Sequence, residues 1–142
     1  MPGQAHADGQ DQIGQIMRSG TIVIHGSVGQ TLLYGAKGGR VFIRGDAGGR
    51  ALINAVGRIQ AVINGTCLDY AAESFMAGRD TGDGFLLING LEFDELGNMI
   101  GKEMKYPGST FFSLASGGAG YFNDPYQTVS VKQLNGARFE TF

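Results

Sequence analysis

The residues with the most chemistry in them are Cys67, Asp69, Tyr70 and Glu73, which fall within two turns of one helix if this stretch is helical. Carboxylates raise the pKa of a neighbouring thiol and weaken it as a nucleophile, although a helix N-terminus acts in the opposite sense. A small buried cysteine in a tight junction asks for less. Asp80, Asp83, Glu92, Asp94 and Glu95 have the residue types of a glycoside-cleaving pair, but they fall in a loop and a hairpin tip, where water solvates them. His6 lies in a polar N-terminal stretch and His25 at a strand end, neither with a second ligand at metal-binding spacing. Gly97–Lys102 has the wrong spacing for a phosphate-binding loop, and Gly-x-Ser-x-Gly and Gly-x-Gly-x-x-Gly are absent. The sequence therefore assigns no catalytic, cofactor-binding or metal-ligating residue and calls for no cofactor.

Composition narrows the classes further. The chain has 142 residues, a net charge of −2 and scattered Lys and Arg, so it lacks the basic footprint of a nucleic-acid binder. No apolar run approaches the roughly 20 residues of a membrane-spanning helix. With a single cysteine and no leader peptide in view, the expected compartment is the cytoplasm. Glycine is the outlier, 25 residues or about two and a half times its average share, without collagen's triplet period.

Those glycines recur at a fixed interval. Shifting Gly20–Gly38 by 19 residues onto Gly39–Gly57 matches Gly20 with Gly39, Ile24 with Ile43, Gly26 with Gly45, Leu33 with Leu52 and Ala36 with Ala55. A shift of 20 carries Ile43 and Gly45 onto Ile63 and Gly65, and Ile88 and Gly90 recur later in the same setting. Units this short cannot hold a strand–helix–strand crossover of about 30 residues. They predict the coils of a parallel β-helix, a β-solenoid of 19–20 residue turns in which Ile24, Ile43, Ile63 and Ile88 stack as one column and Gly26, Gly45, Gly65 and Gly90 as another; the alternative, a twisted β-sandwich with Gly-rich hairpins, has no reason to keep that register. The glycines are expected at sharp bends that need φ > 0. Residues 1–12 read as a disordered polar tail and 13–142 as the glycine-repeat domain. Thr66–Asp69 has the form of a capping box, and Leu68, Ala71, Ala72, Phe75 and Met76 follow helical spacing, which predicts a short helix over 67–76. A hairpin is predicted over 91–105 with its turn at Glu95–Asn98, and 111–114, 121–122 and 129–131 read as closing strands.

If Ile22 and Ile24 face inward, Val23, Phe42, Val62 and Leu87 form an outward column, where a water-facing strand would carry polar residues. Something should cover it: the chain's own Phe111–Leu114 or Phe139–Phe142, or a partner. An unpaired first strand near Gly20 adds a second sticky surface, and together they predict a homo-oligomer.

The stretches Gly26–Arg40, Phe42–Gly48, Glu73–Gly78 and Ser116–Tyr121 with Asp124-Pro125 resemble the GXGXG glycine-repeat C-terminal domain of the glutamate synthase large subunit, over roughly residues 12–136. One of the subunits of formylmethanofuran dehydrogenase belongs to the same fold family. The resemblance implies a single right-handed parallel β-helix and a non-catalytic, structural role in an oxidoreductase complex of nitrogen metabolism. In glutamate synthases the catalytic nucleophile, the flavin and the iron–sulfur cysteines lie in other domains, so the implied partners are proteins carrying flavin or iron–sulfur cofactors. Two other readings are an independent enzyme acting on a carbohydrate or ester and a scaffold like that of formylmethanofuran dehydrogenase.

Overall fold

The structure, a computed structural model, describes residues 3–5, 9–76, 84–101, 106–124 and 127–135. Among the described residues eight strands form: β1 (Gly3–Ala5), β2 (Thr21–Ile24), β3 (Arg40–Ile43), β4 (Gln60–Ile63), β5 (Phe85–Ile88), β6 (Leu91–Phe93), β7 (Met99–Gly101) and β8 (Ala119–Phe122). Six of them make one sheet in the order β1-β2-β3-β4-β5-β8, with every neighbouring pair parallel, while β6 and β7 form a separate antiparallel pair. The isoleucines align as the repeat requires, Ile24 with Ile43, Ile43 with Ile63 and Ile63 with Ile88, and Phe122 continues the column. Alternation sends Val41, Ile43, Ala61, Ile63, Leu86 and Ile88 into the core.

This corrects the β-helix expected from the repeat. The fold is a mostly parallel sheet with a small antiparallel pair and almost no helix, rather than a solenoid. Among the described residues the segments that join the strands form single parallel bridges, Val28 to Ala47 to Cys67 and Val56 to Met76 to Gly117, too short to be strands of further sheets. Their backbone explains why. Residues at alternate positions take positive φ: Thr31, Leu33 and Gly35; Arg50, Leu52 and Asn54; Tyr70, Ala72 and Ser74; Thr110, Phe112 and Leu114. Such a segment is neither extended nor helical.

The helix expected over 67–76 is absent for the same reason. Tyr70, Ala72 and Ser74 have φ of 60°, 58° and 53°, against about −63° in a helix. Their N–H groups donate alternately to the segments on either side: Tyr70 to Ser109 O at 2.9 Å, Ala72 to Ala51 O at 2.7 Å and Ser74 to Ser113 O at 2.7 Å. Amides bonded across layers are lost to an i→i−4 ladder. The same geometry lets two consecutive side chains face inward, so Leu32 and Leu33, Ala51 and Leu52, and Ala71 and Ala72 are all buried. Ala72→Gly should accordingly change stability by less than about 0.5 kcal/mol in chemical denaturation. Relief of the left-handed strain, about 1–2 kcal/mol, offsets the lost methyl burial and the looser unfolded chain. In a buried helix the same change would cost well over 1 kcal/mol.

Two further expectations change. Gly45 and Gly65 do not have positive φ; they are glycines because a Cβ on Gly45 would lie 2.8 Å from Gly26 O, and one on Gly65 would lie 2.6 Å from Gly45 O. Stacked backbone leaves no room for a methyl. Gly3–Ala5, within the stretch read as a tail, pairs with β2, so Thr21–Ile24 is not the edge of the sheet. Of the expected closing strands, 121–122 falls in β8, 111–114 is an alternating-φ turn, and Val131–Leu134 is a single 3-10 turn. The hairpin is present as β6 and β7, with 102–105 outside the described residues.

Candidate docking face

Because the sheet is parallel and in register, its outward residues fall into three columns. The central one is Val23, Phe42, Val62, Leu87 and Tyr121. On the side where the strands enter stand Thr21, Arg40, Gln60, Phe85 and Ala119. One step past the strands, at the exit, stand His25, Arg44, Asn64, Asn89 and Asn123. Val23, Phe42, Val62 and Leu87, singled out from sequence, therefore do form one stripe, extended by Tyr121. Phe42 is 42% exposed and Tyr121 49%, and Phe85 packs its ring edge-on against Tyr121 at 6.3 Å. An apolar stripe with a polar exit border, and with Thr21, Arg40 and Gln60 along the β2–β4 part of the entry border, has the make-up of a protein interface, core within rim. Parallel sheets are ordinarily covered on both faces.

Of the C-terminal covers considered from sequence, 111–114 does not lie on this stripe. Phe111 is fully buried in the core, 5.4 Å from Phe122, with Phe112 beside it. Phe139–Phe142 lies outside the described residues, as do Asp80, Asp83 and His6.

The exit border has an internal order that the reading of motifs missed. Asn89 Nδ2 donates to Asn64 Oδ1 at 2.8 Å, and Asn123 Nδ2 donates to Asn89 O at 3.2 Å. These amides are spent on one another, layer upon layer. The signal was present in the repeat, since the residue before each of Gly26, Gly45, Gly65 and Gly90 is polar. Arg44 carries its guanidinium 4.2 Å from the centre of the Phe93 ring, which pins the β6–β7 hairpin against the exit border at the level of β3. At the hairpin tip the Asp94 carboxylate accepts hydrogen bonds from the N–H groups of Leu96 and Asn98 at 2.9 and 2.8 Å and from Asn98 Nδ2. The bonds from Asn98 foremost hold its carboxyl below the ordinary range. They also hold the turn closed, with Leu96 87% exposed at its apex and Met99 and Ile100 exposed behind it.

The cluster at Cys67 comes apart. Asp69 accepts from Ser109 N at 2.7 Å, Glu73 lies 4.0 Å from Arg50, and Cys67 is buried in the core. Burial first, and the Asp46 carboxylate second, push the thiol up to about 12. A thiol so placed stays protonated at physiological pH and is no nucleophile. Its raised pKa means that the folded protein holds the proton more tightly than the unfolded chain. The associated stability is full below pH 9 and is lost as pH rises towards 12. Native Cys67 should resist a thiol-specific disulfide reagent at pH 8 and react at once in denaturant; comparable rates in both would place it at the surface. The buried Tyr106 hydroxyl, set between Ile88 O at 3.0 Å and Asn123 O at 2.8 Å, is likewise raised, chiefly by burial.

Among the described residues no helix is long and apolar enough to cross a membrane, and no three His, Cys, Asp or Glu side chains group as metal ligands. Comparisons with protein-family models, curated proteins and solved structures found no match for this chain.

Proposed function

We propose that the chain is a non-catalytic docking subunit or domain, whose work is to hold protein partners in fixed positions within an oxidoreductase complex of the glutamate synthase type. The observation that carries this reading is the apolar stripe on a parallel sheet, with Phe42 and Tyr121 exposed and Val23, Val62 and Leu87 half-buried between them. Apolar surface left to water costs solvation, which a partner packed over it offsets. The residue resemblance at Gly26–Arg40 and Ser116–Tyr121 supports proteins carrying flavin or iron–sulfur cofactors as the other members of the assembly, with a second copy of the chain among the partners. A fully buried reduced cysteine suits the cytoplasm.

The reading is tested by purifying the tagged chain from its own cells and reading the bound cofactors by absorbance. A flavin or iron–sulfur protein should be retained by the wild type and released by Phe42→Asp, which places a charge in the middle of the stripe. Retention of neither by the wild type would sink the proposal.

A further inference from the structure

Both borders of the outward face carry an arginine at the β3 level, Arg40 at the entry and Arg44 at the exit, but Arg44 is held over the Phe93 ring and only the exit border adds acidic side chains. The exit border carries the hairpin, whose Glu92 and Glu95 carboxylates are exposed around the apolar Leu96, Met99 and Ile100. The entry border carries exposed Arg40 at the β3 level. None of Arg40, Glu92 and Glu95 has an ion pair among the described residues. The hairpin also lies at the β3 level, since Phe93 touches Arg44 and Gly97 lies within reach of the same guanidinium.

From this arrangement we infer that the stripe is covered by a second copy of this chain, packed face to face about a two-fold axis that runs along the direction in which the strands stack. The inference rests on the docking reading above and names the occupant of that face. The operation reverses strand direction and keeps each layer level with itself. Phe42 then meets Phe42 of the partner subunit, and the exit border of one copy lies over the entry border of the other. Glu92 and Glu95 come to face Arg40 of the partner subunit, twice over, and Leu96 and Ile100 extend the apolar contact. The other two-fold within the interface plane, along the strands, sets hairpin against hairpin and four carboxylates together, which like-charge repulsion opposes. A two-fold contact closes on itself and leaves no copy of the stripe exposed for fibre growth. Cofactor-bearing chains then dock on surfaces that the paired copies build together, so that breaking the pair releases them as well.

Sedimentation equilibrium over a concentration series tests this, with circular dichroism to verify folding. The wild type should reach twice the 15.0 kDa chain mass, and Phe42→Asp, a surface change, should remain folded and monomeric. Arg40→Glu and the double variant Glu92→Lys/Glu95→Lys should each weaken self-association by roughly tenfold or more. Mixed in equal amounts, those two variants should pair as well as the wild type, because both contacts then join opposite charges. A purely structural role for these side chains cannot produce that rescue. A wild type that stays monomeric, or a dimer indifferent to Arg40→Glu and to mixing, overturns the inference. If the wild type is monomeric but Phe42→Asp still releases the cofactor-bearing partner, self-pairing fails and the docking reading stands. If Phe42→Asp alters neither, both fail.

Discussion

Gly65→Ala should lower the stability of this protein by about 3 kcal/mol, and its melting temperature by roughly 10 °C, a large share of the 5–15 kcal/mol typical of a domain. The added Cβ would sit 2.6 Å from Gly45 O and 2.8 Å from Gly45 C, closer than real Cβ atoms come, with the Asp46 carboxylate also in its way. Backbone has no rotamer to turn aside, so the layers must part. Parting them strains the bonds that join them: Gly65 N–H to Gly45 O at 2.9 Å, Gly90 N–H to Gly65 O at 2.8 Å, and Thr66 N–H to Asp46 Oδ1 at 2.9 Å. Overpacking of this kind costs about 1–3 kcal/mol, and each weakened hydrogen bond adds about 1 kcal/mol. Gly49→Ala is the control. A Cβ there meets nothing nearer than Asp69 O at 3.5 Å, and φ is not left-handed. Chemical denaturation of the two variants should therefore separate them by at least about 2 kcal/mol; equal values would show that the glycine column is not held by close stacking.

What the sequence made legible follows from the same stacking. A parallel sheet whose strands β2, β3 and β4 return every 19 or 20 residues repeats its environment at that period, so Ile24, Ile43 and Ile63 had to recur, with Ile88 following after a longer excursion, and the outward column with them. The period does not say how the chain travels between strands. Left-handed φ at Leu33, Leu52 and Tyr70 leaves no mark in residue type, since the usual markers are glycine and asparagine. Those residues adopt it because hydrogen bonds to layers on both sides overdetermine the backbone. The solenoid expectation joins a true register to the wrong connections. The candidate face was half legible: its stripe came from alternation in β2–β5, whereas Tyr121 and the Arg44–Phe93 contact depend on a hairpin and a last strand that fall outside the regular repeat.

The stretch whose spacing suggests a helix gives the second large effect. Phe75→Ala should cost about 3–5 kcal/mol, as expected for a fully buried ring whose removal leaves a cavity. Its backbone compounds the loss, since Phe75 O accepts from Ser116 N at 2.9 Å and Gly117 N at 3.2 Å and so carries the segment that leads into β8. A ring that no longer holds that carbonyl in place loosens the next layer too. Leu68→Ala, by contrast, should change stability by less than about 0.5 kcal/mol, because Leu68 is 48% exposed. On a helix, Leu68 and Phe75 share one face seven residues apart and both would be core. In the alternating-φ turn, Ala71, Ala72 and Phe75 face inward while Leu68 and Met76 face water. Thermal melts of the two alanine variants decide between these geometries: a Leu68→Ala loss as large as that of Phe75→Ala would restore the helix and remove the physical basis for the cross-layer hydrogen bonds of Tyr70, Ala72 and Ser74.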